Sequence, residues 1–105
     1  MLTLPIKKQW FDMILSGEKK EEYRSMTPYY TRRFWNLWSG SLIGGRAERQ
    51  IRFRNGYRKI APSAIATVTL SCGIGKPEWG AMPGKTYYIL HIQSVEAEGG
   101  TDDGN

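Results

Sequence analysis

Three segments from the middle of the chain onward predict β-strands. Residues 49–54 alternate, with isoleucine and phenylalanine on one side and glutamine and arginine on the other, and this period of two is typical of a strand. Residues 64–70 are rich in β-branched side chains, and in residues 86–95 Tyr88, Leu90 and Ile92 are expected to face one way, with Tyr87, Ile89, His91 and Gln93 facing the other. Asn55-Gly56 follows the first of these segments and is typical of a tight hairpin turn, which predicts a return strand over 57–60. The second half of the chain is therefore expected to be mainly β.

The first half carries two helical patterns. Trp10, Met13 and Ile14 have the spacing of one apolar helix face over residues 7–16, and Gly17 follows as a residue that can adopt a left-handed cap. Thr27-Pro28 is typical of a helix N-cap followed by proline at the first helical position. The second helix is expected to bury Phe34 and Trp38.

A fifth strand and the length of the chain complete the predicted fold. Residues 2–6 alternate around Pro5, which is tolerated at the edge of a sheet because it has no N–H to donate. About five strands and two N-terminal helices predict an α+β domain, a small and partly closed β-barrel with helices over one end or face. We expect one domain over residues 1–95, followed by an acidic, disordered tail over 96–105 that has no large apolar side chain.

The charge distribution favours a polyanionic partner. The net charge is +5, and thirteen of the fifteen lysine and arginine residues lie in the first 60 positions. A basic domain of this kind is typical of nucleic-acid binding, although the same excess can serve solubility alone.

Several function classes are not expected. No apolar run approaches the roughly 18–20 residues that cross a bilayer, and the first residues lack the apolar core of a signal peptide, so we predict a cytoplasmic protein that does not enter the membrane. A single cysteine, Cys72, permits no internal disulfide and no cysteine-cluster zinc site, and we predict neither a metal nor a cofactor. His91 is the only histidine and is expected to be structural, because one histidine cannot form a metal cluster. The sequence also shows no serine–histidine–acid signature.

The densest polar cluster lies in residues 17–24. If the chain is extended there, Glu22 and Arg24 project from the same face, about 7 Å apart, and the stem of Lys19 can fold back towards Glu22. An ammonium, a carboxylate and a guanidinium in one small volume can bind a base edge or a phosphate. The alternative is a solvated, charge-balanced segment with no ligand.

A second basic cluster lies in residues 46–59. Arg52 and Arg54 share a strand face, Arg58 follows, and Phe53 and Tyr57 are interleaved with them. Arginine beside aromatic rings suits phosphate contact and base stacking. The alternative is an edge hairpin whose charges prevent pairing with other chains.

The sequence of residues 17–24, GEKKEEYR, resembles the Gly-x-Lys-x-x-Glu-x-Arg pattern of the ASCH domain, a branch of the PUA-like superfamily. An apolar strand and an amphipathic helix precede the motif, and Trp79 lies in a loop before the last strand, as in that family. The resemblance implies a PUA-like β-barrel of about five strands, with a cleft between barrel and helices that Lys19, Glu22 and Arg24 line.

Three hypotheses for the function are open. The first is an RNA- or nucleotide-binding module. In it the pocket is formed by Lys19, Glu22 and Arg24, the phosphates are bound by Arg52, Arg54 and Arg58, and Trp79 is a further ligand-binding residue. The second is an amidohydrolase for an acylated nucleoside such as acetylcytidine, with Lys19 as base or nucleophile activator and Glu22 positioning water or the leaving amine. Enzymes of that kind resemble Gly-x-Lys-x-x-Thr-x-Arg, whereas this chain has Glu22 at the threonine position, and Glu78 is the only acid of the late loop. The third is a protein-interaction domain that uses the aromatic segment 29–38. The sequence predicts no oligomeric state.

Overall fold

The computed structural model describes residues 1–40 and 43–98 and shows an α+β fold. Five strands and two helices follow the order of the chain: β1 (Thr3–Ile6), α1 (Lys8–Ser16), β2 (Glu21–Ser25), α2 (Pro28–Leu37), β3 (Arg49–Asn55), β4 (Ser63–Ile74) and β5 (Thr86–Ala97). Short 3-10 turns lie at Ile43–Arg46 and Pro77–Trp79. None of the helices in the described ranges is long and apolar enough to cross a membrane.

The five strands form one mixed sheet in the order β1-β3-β4-β5-β2. Strand β1 runs parallel to β3, and the other neighbours are antiparallel. The sheet curls into a half-barrel, which agrees with the expected α+β, barrel-like architecture. The predicted edge position of Pro5 is confirmed, because β1 is one edge strand. Strand β2 is the other edge, and the gap between β1 and β2 is called the seam below.

The concave face of the sheet and the two helices enclose the main core. Phe34 and Trp38 of the second helical segment are buried there, as predicted. On the first helix the buried side chains are Phe11 and Ile14, whereas Trp10 is only partly buried and packs against the core from outside. Full burial of a large apolar side chain contributes about 1.5–3 kcal/mol, so these helix faces hold both helices on the sheet.

Both predicted helix boundaries are confirmed. Gly17 ends α1 with a φ of 86°, a left-handed conformation that glycine adopts without strain, and its N–H donates to the Ile14 carbonyl. Thr27 begins α2 and its side chain accepts a hydrogen bond from the Tyr30 N–H. These caps fix where β2 starts and ends, since β2 is the segment between the two helices.

The predicted return strand over 57–60 is wrong. The N–H of Gly56 donates to the Ile6 carbonyl of β1 at 2.9 Å instead of closing a hairpin, and β4 begins only at Ser63. Tyr57 and Ile60 are exposed, so this segment has no apolar face that a sheet would bury. Residues 56–62 therefore form a loop that passes beside the end of β1.

The predicted acidic tail is wrong for its first three residues. Strand β5 continues to Ala97, and the N–H of Glu98 donates to the Ser63 carbonyl at 2.9 Å. The Glu98 carboxylate accepts from Arg52 Nη2 at 3.0 Å and from Ser63 Oγ at 2.7 Å. These partners hold the segment on β3 and β4; residues 99–105 lie outside the described residues.

Candidate functional site

The three charged residues of the motif come together as predicted. Glu22 and Arg24 alternate along β2 opposite Leu90 and Tyr88 of β5, so both side chains point to the concave side of the sheet. Lys19 Nζ lies 3.2 Å from Glu22 Oε1, and Arg24 Nη2 lies 2.7 Å from Glu22 Oε2. The carboxylate is thus held between an ammonium and a guanidinium.

Lys19 is buried, with 1% of its surface exposed. Its Nζ donates to the carbonyl oxygens of Glu21 and Trp79, each at 2.6 Å, and pairs with the Glu22 carboxylate. These three acceptors match the three hydrogens of an ammonium group. Burial lowers the pKa of Lys19, and Glu22 opposes that effect by favouring the charged form. The rings of Trp10 and Tyr23, with centroids 5.3 and 4.8 Å from Nζ, complete the enclosure.

Arg24 joins three elements of the fold. Its Nε and Nη2 donate to Glu22, its Nη1 donates to the Tyr30 hydroxyl of α2 at 3.0 Å, and its Nη2 also donates to the Pro5 carbonyl of β1 at 2.9 Å. Burial acts against the charged form, but Glu22 and Tyr30 outweigh it and raise the pKa of Arg24. The guanidinium therefore bridges the seam as a permanent cation.

Beside this bridge the seam opens into a cleft of about 420 Å³. Lys7, Glu22 and Arg24 contribute the charged part of its surface, and most of the remainder is aromatic or apolar. The lining residues are Pro5, Ile6, Lys7, Trp10, Glu22, Tyr23, Arg24, Ser25, Tyr30, Gly56, Tyr57 and Tyr87. A concave, mainly apolar site with a few convergent polar groups is typical of a small-molecule or cofactor pocket.

Lys19 is not among the residues that line this cleft, contrary to what the motif resemblance implies. The carbonyls of Glu21 and Trp79 draw its ammonium inward, behind the carboxylate. Lys19 therefore holds Glu22 in place from the interior, while Glu22 presents its carboxylate to the cleft.

The aromatic walls were only partly foreseen. Tyr57 was expected to be available for stacking, and it is 86% exposed at the cleft. The spacing of Trp10 predicts a place on the apolar face of the first helix, but Trp10 is only partly buried and lines the cleft. The sequence feature that could have indicated this exposure is the position of Trp10, at the edge of the apolar face of α1 and close to the two lysines at the start of the helix. Phe53, expected beside the phosphates, is fully buried.

The predicted arginines of β3 do not join the cleft. Arg52 and Arg54 pair in register with Ile65 and Ser63 and project from the convex face, opposite the side that Phe53 occupies. Arg52 is also occupied by the Glu98 carboxylate. The sheet itself therefore separates these two arginines from Glu22 and Arg24.

The remaining predicted ligand residues have separate positions. Arg58 is exposed in the loop 56–62, directly after Tyr57. The Trp79 ring packs against a second apolar cluster around Tyr23 and Tyr87, with Lys76 Nζ 4.5 Å from its centroid. Trp79 does not line the cleft, and it reaches the motif through its carbonyl.

Two lysines supply positive charge at the cleft. Lys7 lines it directly and is exposed. Lys85 Nζ donates to Ser25 Oγ at 3.2 Å and lies 5.0 Å from the ring centroid of Tyr87, and both of these partners line the cleft. The rim can therefore attract an anionic group attached to a ligand whose planar part enters the cleft. Within residues 1–40 and 43–98, no group of three or more histidine, cysteine or acidic side chains could hold a metal ion.

Comparisons with protein-family models, with curated proteins and with solved structures found no match for this chain.

Proposed function

We propose that the chain is a nucleotide-binding module of the ASCH type, within the PUA-like class, and that its cleft takes a base of RNA or of a free nucleotide. One observation carries the proposal. An aromatic cleft in the seam of the half-barrel has a carboxylate and a guanidinium on its surface, and both groups are fixed by other parts of the chain.

The aromatic walls and the ion pair match two parts of a nucleobase. Stacking of a base on an aromatic side chain contributes about 1–3 kcal/mol and tolerates any base, which suits Trp10 and Tyr57. The Glu22 carboxylate can accept from an exocyclic amine such as cytosine N4. Among the described residues Nη1 of Arg24 makes one hydrogen bond, to Tyr30, so its second hydrogen is available to a base carbonyl.

Preorganisation favours this use of the pair. Lys19 and Pro5 already fix the two charged groups, so a ligand does not have to order them on binding. Lys7 and Lys85 then offer charge for the phosphate, and the exposed Arg58 offers a further contact for a longer strand. The association is expected to weaken as salt rises, because phosphate contacts release counterions.

A second candidate, the amidohydrolase, has one observation in its favour. Burial lowers the pKa of Lys19 next to the Glu22 carboxylate, and a lysine of that kind can serve as a base. Its Nζ faces the interior, however, and its hydrogens are taken by Glu21, Trp79 and Glu22. Release of cytidine from N4-acetylcytidine by wild type, with loss in Lys19→Ala, would support the enzyme; equal behaviour of the two proteins would leave it without support.

Binding is tested by calorimetric titration with cytidine, adenosine, guanosine and uridine 5′-monophosphates and with a short single-stranded RNA, each at low and high salt. Tyr57→Ala is the diagnostic variant, because Tyr57 is 86% exposed and its loss does not open the core. Tyr29→Ala is the matched control, an exposed tyrosine outside the cleft. We expect Tyr57→Ala to weaken binding roughly 10-fold or more, in line with the loss of one stacking contact.

The comparison of probes separates the two sources of the base. Tighter binding of RNA than of every mononucleotide, with a steep salt dependence, indicates a polymer ligand; equal binding indicates a free nucleotide. Negligible binding of all probes at low salt, or equal effects of the Tyr57 and Tyr29 variants, would refute the proposal.

A further inference from the structure

We propose a second reactive site on the convex face of the sheet, where Ser71 is a nucleophile and His91 its general base for the hydrolysis of small carboxylic esters. The site is separate from the cleft, because none of the residues that line its depression also lines the cleft. It also does not depend on the function proposed for the cleft.

Three neighbouring strands bring the residues of this site together. His91 of β5 is in register with Thr69 of β4 on one side and with Glu21 of β2 on the other. Ser71 lies two positions along β4 from Thr69 and therefore projects from the same face. Ser71 Oγ is 2.6 Å from His91 Nε2, and His91 Nδ1 is 3.7 Å from Glu21 Oε2. Serine, histidine and carboxylate thus stand in the order that acyl-transfer sites use.

The carboxylate is held in position by the next residues of the network. Glu21 Oε1 accepts a hydrogen bond from the Tyr23 hydroxyl at 2.7 Å, and that hydroxyl accepts from the Lys76 N–H at 2.9 Å. Burial raises the pKa of Tyr23, so the phenol remains a donor to Glu21 at neutral pH. The negative charge of Glu21 favours the His91 tautomer with its proton on Nδ1, which leaves the lone pair of Nε2 facing Ser71.

A depression over the pair gives a substrate access. Its volume is about 390 Å³, and it is lined by Arg46, Thr69, Leu70, Ser71, His91 and Gln93. Ser71 is exposed, and the His91 side chain is 36% exposed. Arg46, the last residue of the 3-10 turn that packs on β4, lines the same depression and is a cation that can stabilise an oxyanion. The volume of the depression suits a small ester.

The proposed reaction has two steps. Ser71 Oγ attacks the carbonyl carbon, a C–O bond forms to the serine, and Nε2 of His91 takes the hydroxyl proton. The bond between that carbon and the leaving alcohol oxygen breaks, and the proton on Nε2 passes to the leaving oxygen. Water then attacks the acyl-serine while Nε2 accepts its proton, the bond to Ser71 Oγ breaks, and the proton returns to that oxygen. The products are a carboxylic acid and an alcohol.

The test uses 4-nitrophenyl acetate with the full chain, following nitrophenolate release and mapping the acetyl group by mass spectrometry. Wild type is expected to carry the acetyl group on Ser71. Ser71→Ala is expected to remove that label, and His91→Gln to slow acetylation by roughly 100-fold or more. Ser94→Ala is the matched control, an exposed serine of β5 that does not line the depression, and it is expected to behave like wild type.

Glu21 is a positioning residue in this site, and its role has its own readout. Glu21→Gln is expected to slow acetylation roughly 10-fold or more, and Glu21→Asp to recover part of the rate, because it restores the charge. If both variants are equally slow while their thermal unfolding matches wild type, the assigned role of Glu21 is wrong.

Two results would overturn the site as a whole. One is an acetyl group found on lysines and not on Ser71. The other is an unchanged rate of nitrophenolate release in Ser71→Ala, which would mean that His91 or solvent reacts without the serine. Ser71→Ala and His91→Gln change an exposed and a partly exposed side chain, and circular dichroism is used to check that each variant is folded.

Discussion

Arg24 on β2 donates from Nη2 to the main-chain carbonyl of Pro5 on β1, at 2.9 Å across the seam. The two strands are the edges of the sheet, so a side chain here makes the connection that a backbone ladder makes in a closed barrel. The same guanidinium is part of the cleft surface. Closure of the half-barrel and the chemistry of the candidate site therefore depend on one residue.

Arg24→Ala is expected to destabilise the fold by about 3–5 kcal/mol, because it leaves Glu22 with one cation fewer in a buried position and the Pro5 carbonyl without its donor. Urea unfolding followed by circular dichroism measures this. Arg32→Ala, an exposed arginine of α2, is the control and is expected to change stability by about 0.5 kcal/mol or less. Equal effects of the two substitutions would contradict the bridging role.

Adjacent lysines offer a second matched pair. Lys19→Met keeps the length of a buried side chain but removes the donor to two carbonyls and the partner of Glu22, so we expect a loss of roughly 2–4 kcal/mol. Lys20→Met changes an exposed neighbour and is expected to be almost neutral. Chemical denaturation of both variants measures the change in the free energy of unfolding. If Lys19→Met leaves that free energy unchanged, the ammonium is not needed for stability.

Acid is expected to weaken the attachment of the end of β5. Arg52 and Ser63 hydrogen-bond to Glu98 and lower its pKa below the ordinary value of 4.5. A carboxyl group with a lower pKa in the folded state adds stability above its unfolded pKa and loses it as pH falls through the folded value. The difference in Tm between wild type and Glu98→Gln should therefore be present at pH 7 and should shrink below about pH 4.5. A difference that is the same at pH 7 and pH 3 would contradict this.

Gly75 packs closely against two side chains, and a substitution at this position tests that packing. A Cβ at this position would lie 2.7 Å from both the Ala81 side chain and the Tyr23 ring, so Gly75→Ala is expected to cost about 1–3 kcal/mol. At Gly73 the same atom would meet only the Ile89 side chain, at an ordinary 3.5 Å. Gly73→Ala is therefore the control, and thermal unfolding of the two variants is the measurement. Similar Tm values for both would argue against the close contact.

Local patterns predicted the elements that present the motif. The alternation of Glu22 and Arg24, with a glycine cap before them and the Thr27 cap after them, was sufficient to predict their common face and the approach of Lys19. These features depend on a few consecutive residues, for which backbone geometry leaves little choice. The inward direction of the Lys19 ammonium was not predictable, because one of its acceptors is the carbonyl of the distant Trp79.

Strand pairings between segments that are far apart in the chain could not be predicted from the sequence. Strand β2 pairs with β5, the last strand of the chain, and only this register places Glu21 beside His91 and thereby completes the group with Ser71. The hairpin expected after Asn55 failed for a related reason. Gly56 satisfies its N–H on β1, a competing partner that a local turn pattern does not reveal.

That hydrogen bond from Gly56 to Ile6 links the proposed binding cleft to the sheet. Tyr57, which forms the outer wall of the cleft, follows Gly56 directly. The cleft wall is therefore attached to β1, the strand to which Arg24 also hydrogen-bonds through the Pro5 carbonyl. A ligand that stacks on the Tyr57 ring is therefore expected to restrain the β1 edge of the sheet as well. Ligand binding in the cleft should then slow hydrogen exchange of the Gly56 amide. Conversely, detachment of β1 from the sheet is expected to disrupt the cleft.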